Sequence, residues 1–304
     1  MKHNIFLSLI IAGLFFSCSS SPERVMLVSD GSNVAYSQLE EANNSIIEGK
    51  YARTYDLLNS AYNISLSVDN TDLLCKIFLS GIVFKIAVPD FYADEDSFLK
   101  SEKEILLQNA RKLAGRSQDK KVLINLCSVY EVRIQLENEL KLNGKKLSSE
   151  KAGSFLSVLD NAQSYISKDP YYYAYSFRTK GDVCLAVQDY SGAQKNFEAA
   201  AKIHTKERYL VEIGLDWYCA ARSYSLAGKK SEALSAIQNA LKYDKDAENT
   251  PAIASDYSAY SKILLKGSPD EEEIKLSEEL ALWSEKILKA MAKIENKAET
   301  KTGE

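Results

Sequence analysis

Apolar residues recur at intervals of three and four along most of the chain, which is the spacing of one helical face. Alternating apolar and polar positions, the pattern of a half-buried strand, are scarce. The pattern therefore predicts an all-α protein. Helices are expected near residues 34–48, 51–66, 71–88, 97–115, 119–142 and 148–167, followed by helices of an internal repeat and a long last helix at about 270–297.

The five prolines agree with this prediction, because none is expected inside a helix. Asp169, Thr250 and Ser268 each precede a proline, and each is predicted to cap a helix whose first position the proline takes. At that position the missing proline N–H removes no hydrogen bond. Ser268 is also expected to form a capping box with Glu271.

An internal repeat begins in the second half of the chain. Phe177, Trp217 and Tyr257 follow one another at a spacing of 40 residues. Small residues recur in the same register, and so do the apolar and small positions that follow: Gly181, Ala221 and Ser261; Ala193 and Ala233; Phe197 and Ile237; Ala200 and Ala240. Small residues let two helices approach closely, while aromatic and aliphatic ones fill the gaps between helix pairs.

These residues resemble a tetratricopeptide repeat (TPR), most clearly over residues 174–207 and 214–247. The 40-residue period is longer than the usual period of about 34, so the resemblance implies an irregular TPR-like α-solenoid of antiparallel helix pairs over residues 34–304. A weaker copy is expected around Ala42 and Tyr51. The last helix is predicted to cap the stack and cover its final apolar face.

The start of the chain has the three parts of a secretory signal: Lys2, an apolar run over residues 5–16, and the small Ser17. The run is shorter than the ~20 residues that span a bilayer. Residues 14–18 resemble a bacterial lipobox, which implies cleavage before Cys18 and lipidation of that cysteine. An ordinary signal peptide cut near residues 19–21 is the alternative.

The expected organisation is therefore a lipoprotein signal peptide at 1–17, a lipid anchor and tether at 18–33, and the helical domain. The chain is then held on a membrane of the cell envelope by its acyl chains (palmitate or similar), facing the periplasm or the cell exterior. The net charge is −4 and no run of Lys or Arg forms a basic stripe, which argues against nucleic acid as a partner.

Residues for catalysis are few. His3 and His204 are the two histidines, and His204 is expected to be a solvated residue at the end of a helix. No glycine-rich phosphate loop is present. The sequence therefore predicts a protein that is not an enzyme and that has no cofactor and no metal site.

The four cysteines after Cys18 are Cys75, Cys127, Cys184 and Cys219. None forms a close pair of the kind that binds zinc, and each is expected to be a small buried apolar residue. An exported protein can oxidise a cysteine pair, and Cys184 with Cys219 is then the best candidate because they fall on neighbouring first helices of the repeat.

Tyrosine is unusually frequent, with 18 residues, and most are expected in the core. Tyrosine is also favoured at binding surfaces. In TPR proteins ligands lie along the inner face of the first helices, and this resemblance implies a binding site at Tyr175, Arg178, Asp182, Tyr218 and Arg222. Two arginines framed by tyrosines suit a carboxylate ligand or an acidic peptide.

Two functions remain open from the sequence. The first is a lipid-anchored binding or scaffold protein of the bacterial cell envelope that binds an envelope protein or peptide. The second follows from a similarity of overall plan to the T component of TRAP-type periplasmic solute transporters. That similarity implies an accessory that binds a small carboxylate or the substrate-binding protein.

Overall fold

The computed structural model describes residues 30–144 and 146–302, with side chains described as far as Lys293. Within these residues 82% are helical and no strand is present. The predicted signal peptide, Cys18 and most of the tether lie outside the described residues. The helices are α1 (Asp30–Ile47), α2 (Tyr51–Ser67), α3 (Thr71–Ala87), α4 (Lys103–Ala114), α5 (Lys120–Leu142), α6 (Ser149–Ile166), α7 (Pro170–Ala186), α8 (Tyr190–Glu207), α9 (Leu210–Leu226), α10 (Lys230–Asp246), α11 (Thr250–Leu264) and α12 (Glu271–Thr302).

The proline-based prediction of helix starts is correct for α7 and needs correction for two others. Asp169 accepts a hydrogen bond from the Tyr172 N–H, with Pro170 opening α7 as predicted. The cap of α11 is Asn249, whose side chain accepts from the Ala252 N–H. Thr250 was the wrong choice because the amide oxygen one residue earlier already satisfies the free N–H of the first turn.

The start of α12 also differs from the predicted capping box. Asp270 Oδ1 accepts from the Glu273 N–H at 2.8 Å, and Glu273 Oε2 accepts from the Asp270 N–H at 3.2 Å. The reciprocal pair therefore lies two residues after the predicted pair of Ser268 and Glu271. The acidic first turn of α12 faces the positive end of the helix dipole.

One predicted helix is divided. The range 97–115 contains a short 3₁₀ helix, Phe98–Lys100, capped by Ser97, and then α4. Ser101 and Glu102 have extended backbone between the two. The break lets Leu99 become fully buried beside α2 and α3, a tertiary contact that local spacing does not show.

Consecutive helices pack in pairs, giving an all-α, solenoid-like arrangement. The odd-numbered helices form the inner layer: α1 contacts α3, α3 contacts α5, α5 contacts α7, and α9 contacts α11. Helix α3 is buried nearly all round its circumference, as expected for a helix enclosed by neighbours. Helix α1 also contacts α9. The stack of helices is therefore curved strongly enough to bring these two distant helices together.

Close approach of α7 and α8 depends on Gly181. A Cβ placed there would lie 2.5 Å from the ring of Phe197, which is fully buried. Ala193 and Ala200 flank this ring with no exposed surface. The small and aromatic positions of the predicted repeat therefore do form the core between the two helices.

None of the described helices is both long enough and apolar enough to cross a bilayer.

Candidate ligand-binding site

A cavity of about 660 Å³ opens between α5, α7 and α9 on the inner layer. These three odd-numbered helices supply most of its walls, and the chain after α5 and the start of α8 complete it. The lining residues are Arg133, Leu136, Glu137, Leu140, Lys141, Gly144, Lys146, Asp182, Leu185, Ala186, Gln188, Tyr190, Arg222 and Leu226. The volume lies within the range of about 300–1,000 Å³ that is usual for small-molecule sites.

The acidic groups of the cavity are already paired with cations. Asp182 on α7 forms an ion pair with Arg133 on α5. Glu137 accepts from Lys103 at 2.7 Å and lies 2.6 Å from the Lys141 ammonium. Burial opposes the charge of Glu137, but the hydrogen bonds from these two lysines outweigh burial and lower its pKa.

Two cationic residues are left over. Arg222 on α9 is exposed, and among the described residues no carboxylate forms an ion pair with it. Lys146, also exposed, has no carboxylate partner in the described part of the chain either. The lining carries four cationic side chains against two carboxylates. The cavity therefore has a positive excess in a chain whose net charge is negative.

The rest of the wall is apolar. Leu136 and Leu140 of α5, Leu185 of α7 and Leu226 of α9 all line the cavity. Leu226 is 46% exposed, and a ligand in the cavity would cover part of it. Apolar walls with a small number of charged groups are the usual composition of a binding pocket, because burial supplies affinity and the charges fix orientation.

The structure divides the predicted binding residues into two groups. Asp182 and Arg222 line the cavity. Tyr218, one turn before Arg222 on α9, is half-buried and borders three smaller cavities of the same layer. Arg178 and Tyr175 do not line any of these cavities; both are only 8% exposed.

Arg178 belongs to a buried ion-pair network between α7 and α9. Its Nε donates to Asp216 Oδ1 at 2.6 Å, and its guanidinium lies 2.5 Å from the Glu212 carboxylate and 3.2 Å from the Glu212 carbonyl oxygen. Burial opposes its charge, but Asp216 and Glu212 more than compensate, so the pKa of Arg178 is raised well above its usual value. Its guanidinium therefore faces core acids and not the cavity.

Tyr175 packs against Tyr130 of α5, with ring centroids 5.0 Å apart and an angle of 20° between the rings. Its hydroxyl is buried and has no hydrogen-bond partner in the described structure. Burial raises the pKa of this phenol. The ring therefore joins α7 to α5 behind the cavity wall.

His204 was predicted to be solvated, and this was wrong. Its side chain is 1% exposed and Nδ1 lies 2.6 Å from Asp216 Oδ2. Because a carboxylate can only accept, Nδ1 carries the hydrogen of this bond. The rings of Tyr171 and Tyr209 lie 6.3 Å and 5.8 Å from the imidazole, so His204 is part of the same buried network as Arg178.

The four described cysteines are free thiols. The default expectation of buried thiols is confirmed for Cys75, Cys127 and Cys184, and the alternative disulfide between Cys184 and Cys219 is not formed. The thiols that interact with each other are those of Cys75 on α3 and Cys127 on α5. The hydrogen bond between the two thiols raises the pKa of Cys75 and lowers the pKa of Cys127. No group of three or more His, Cys, Asp or Glu within the described residues is arranged to hold a metal ion.

Sequence reasoning missed Arg133, Lys141 and Lys146 as cavity residues. They lie on α5 and the segment after it, outside the repeats that carried the resemblance, so no motif pointed to them. For Lys141 and Lys146 the available signal was the concentration of basic residues near the end of the helix predicted over 119–142, whereas Arg133 in mid-helix carried none. These basic residues can be recognised as part of a cavity only once α5 is seen to pack beside α7.

Comparison of the sequence with protein-family models gives no match, and comparison with curated proteins gives no significant match either.

Proposed function

We propose that the chain is a lipid-anchored, TPR-like binding or scaffold protein of the bacterial cell envelope. In this proposal the cavity between α5, α7 and α9 holds an acidic segment of a partner protein or peptide. The observation that carries it is the exposed Arg222, which has no carboxylate partner among the described residues while the cavity's own acids are paired.

Charge and geometry support an acidic ligand. A guanidinium binds a carboxylate through two parallel N–H donors, which fixes the orientation of the ligand. Arg222 lines the same cavity as the Arg133–Asp182 pair, and the exposed Lys146 adds a further positive charge to the lining. The leucines of the wall would cover an aliphatic or aromatic side chain next to the bound carboxylate.

The charged and apolar groups of the lining are suited to binding and orienting an acidic ligand. The one described histidine is buried against Asp216 and does not line the cavity. Lipidation at Cys18 would keep this binding surface at the membrane and raise the local concentration of partners there. Scaffolding of envelope proteins follows from these two properties together.

The direct test uses the mature chain and a fluorescent ten-residue peptide rich in Asp and Glu, with the Asn and Gln version as its control. Fluorescence anisotropy should show binding of the acidic peptide alone, weakening as salt is raised. Arg222→Glu should reduce the affinity by about tenfold or more. Arg116→Glu, an exposed arginine between α4 and α5 that does not line the cavity, should leave it unchanged.

Equal binding of the acidic and amide peptides would contradict the proposal, and so would equal loss of affinity in the two arginine variants. Circular dichroism of each variant distinguishes a lost contact from a lost fold.

The volume of the cavity also favours a second candidate, the accessory of a TRAP-type transporter. A cavity of about 660 Å³ has room for a small carboxylate such as succinate. In this case succinate should bind with an affinity that depends on Arg222, and the acidic peptide should compete only weakly. Tight peptide binding without an effect of succinate favours the scaffold instead.

A further inference from the structure

A second cavity, of about 220 Å³, lies where α1, α9 and α11 meet. Two aspartates line it, Asp244 from the end of α10 and Asp256 from α11. The other lining residues are Ile47, Leu215, Tyr218, Asn249, Pro251, Ala252 and Ser255.

The two carboxyl groups are more deeply buried than their residue type normally allows, each with 1% of its surface exposed. Asp244 lies directly on the backbone of α9, since a Cβ at Gly214 would come within 2.4 Å of Asp244 Oδ1. The same oxygen accepts a 3.4 Å hydrogen bond from the Asn249 side chain. Neither oxygen of Asp256 has such a donor in the described structure. The group beside it is the Asp244 carboxyl, with which it forms a hydrogen bond only when the pair holds a proton.

No positive charge among the described residues balances this pair. Helix α1 presents Ile47 to the cavity, α9 presents Leu215 and Tyr218, and α11 presents no lysine or arginine. Two adjacent buried carboxylates cannot both remain charged without a cation. Between them they must hold either a shared proton or a bound positive group.

Burial, and then the nearby Asp244, raise the pKa of Asp256, and burial raises the pKa of Asp244. Both shifts favour a state in which the pair keeps one proton, shared through a hydrogen bond between the two side chains. This shared proton leaves one negative charge in the cavity, still without a partner.

We infer that this cavity binds a primary alkylammonium group, whose N–H donors are accepted by Asp256 and Asp244. The ammonium takes the place of the shared proton, so one proton passes to solvent for each ammonium bound. Its methylene groups lie against Leu215, Pro251 and Ala252, and the Tyr218 ring is available for a cation–π contact.

The composition of the wall favours an ammonium over a divalent metal. Calcium takes six to eight oxygen ligands, and magnesium needs near-ideal octahedral geometry. Here the side-chain oxygens beyond the two aspartates are few, and Ser255 already donates to the Pro251 carbonyl. The three N–H donors and the aliphatic chain of an alkylammonium fit this cavity better than calcium or magnesium does.

The ammonium site is separate from the site proposed for an acidic ligand and binds the opposite charge. Both cavities border α9, the smaller through Tyr218 and the larger through Arg222. A free amine and the lysine side chain of a bound protein segment carry the same chemical group. The two sources are separated by their probes: n-butylamine for the free amine, and a five-residue peptide with a central lysine for the protein segment.

Isothermal titration calorimetry of the mature chain at pH 7.5 tests the inference, with n-butanol as the neutral control. We expect n-butylamine or the lysine peptide to bind, n-butanol not to bind, and the heat to change with the ionisation enthalpy of the buffer because a proton is released. Asp256→Asn should weaken binding by about tenfold or more. Asp246→Asn, an exposed aspartate two residues after Asp244, is the matched control and should bind normally.

Binding of the peptide alone assigns the site to a protein partner, and binding of n-butylamine assigns it to free amines as well. No saturable heat with either probe, or equal binding by Asp256→Asn and wild-type protein, would overturn the inference and leave the pair a proton-sharing dyad. The acidic-peptide measurement is independent, because Asp256 does not line the larger cavity.

Discussion

Arg178 Nε lies 2.6 Å from Asp216 Oδ1, and this contact joins α7 to α9, the first helices of the two clearest predicted repeat units, through the core. The other carboxylate oxygen of Asp216 is bonded to His204 Nδ1. One aspartate therefore connects α7, α8 and α9. Since α7 and α9 form two walls of the larger cavity, the network fixes the spacing between those walls.

Removing the guanidinium should strongly destabilise the fold. Arg178→Met keeps the length of the side chain but leaves Asp216 and Glu212 buried with reduced compensation. Breaking a buried pair in this way costs about 3–5 kcal/mol. Urea unfolding followed by circular dichroism measures the loss of stability, with Arg116→Met as the exposed control. A loss below about 1 kcal/mol in Arg178→Met would show that the network does not stabilise the fold.

Gly181 should tolerate no side chain. Gly181→Ala places a Cβ within 2.5 Å of the Phe197 ring, and overpacking of this kind costs about 1–3 kcal/mol. Gly153→Ala is the matched control, because no atom lies within 4 Å of a Cβ there and the site is also helical. It should be neutral or stabilise by up to about 1 kcal/mol. Equal melting temperatures for the two variants would contradict the packing described.

Stability should fall with rising pH because of Asp256. Its folded pKa, about 9, is above the unfolded value of 3.8, so its protonated form stabilises the fold. That contribution is present in full below about pH 4 and is lost as the pH rises toward 9. Asp256→Asn, which resembles the protonated acid, should be more stable than wild-type protein at pH 8 by roughly 1–3 kcal/mol.

The difference between Asp256→Asn and wild type is measured by urea unfolding at pH 5 and pH 8 without amines in the buffer. It should be larger at pH 8. A constant difference, or the same pattern in Asp246→Asn, would show that the carboxyl pair is not the titrating group.

The buried thiols should be protected in the folded protein. Cys75, Cys127 and Cys184 are at most 3% exposed, and burial raises the pKa of Cys184 to about 11, which lowers its thiolate fraction. Maleimide should react slowly with these three thiols in native buffer. In urea it should react rapidly with all four described cysteines. Mass spectrometry of the denatured, labelled protein should find four labels on the described cysteines, and two would reveal a disulfide.

Local sequence patterns predicted the helices well where their ends carry a local signal. Asp169 with Pro170 gave the start of α7, and the spacing of Ala193, Phe197 and Ala200 gave the buried face of α8. The division of the range 97–115 was not predictable, because burial of Leu99 against other helices decides it. Local patterns carry no information about that contact.

The candidate site was predicted only in part, for the same reason. Asp182 and Arg222 lie on the cavity, but Arg178, four residues before Asp182 on the same helix, faces into the core. Its two acidic partners are 34 and 38 residues away in sequence. The chain has several acidic residues at similar separations from Arg178. Whether Arg178 binds a ligand or pairs with one of these acids is decided by how α7 packs against α9, which the sequence alone does not show.

The most direct test of the central claim is to locate the native ligand on the protein. A photoreactive benzoylphenylalanine in place of Leu226, an exposed residue of the cavity wall, is irradiated in cells that express the full chain. The account predicts one dominant cross-linked partner with an acidic segment at the site of attachment, and its loss when Arg222→Glu is added. The same adduct from the probe at Lys195, an exposed residue of α8 away from the cavity, or an adduct at Leu226 that persists with Arg222→Glu, would contradict it.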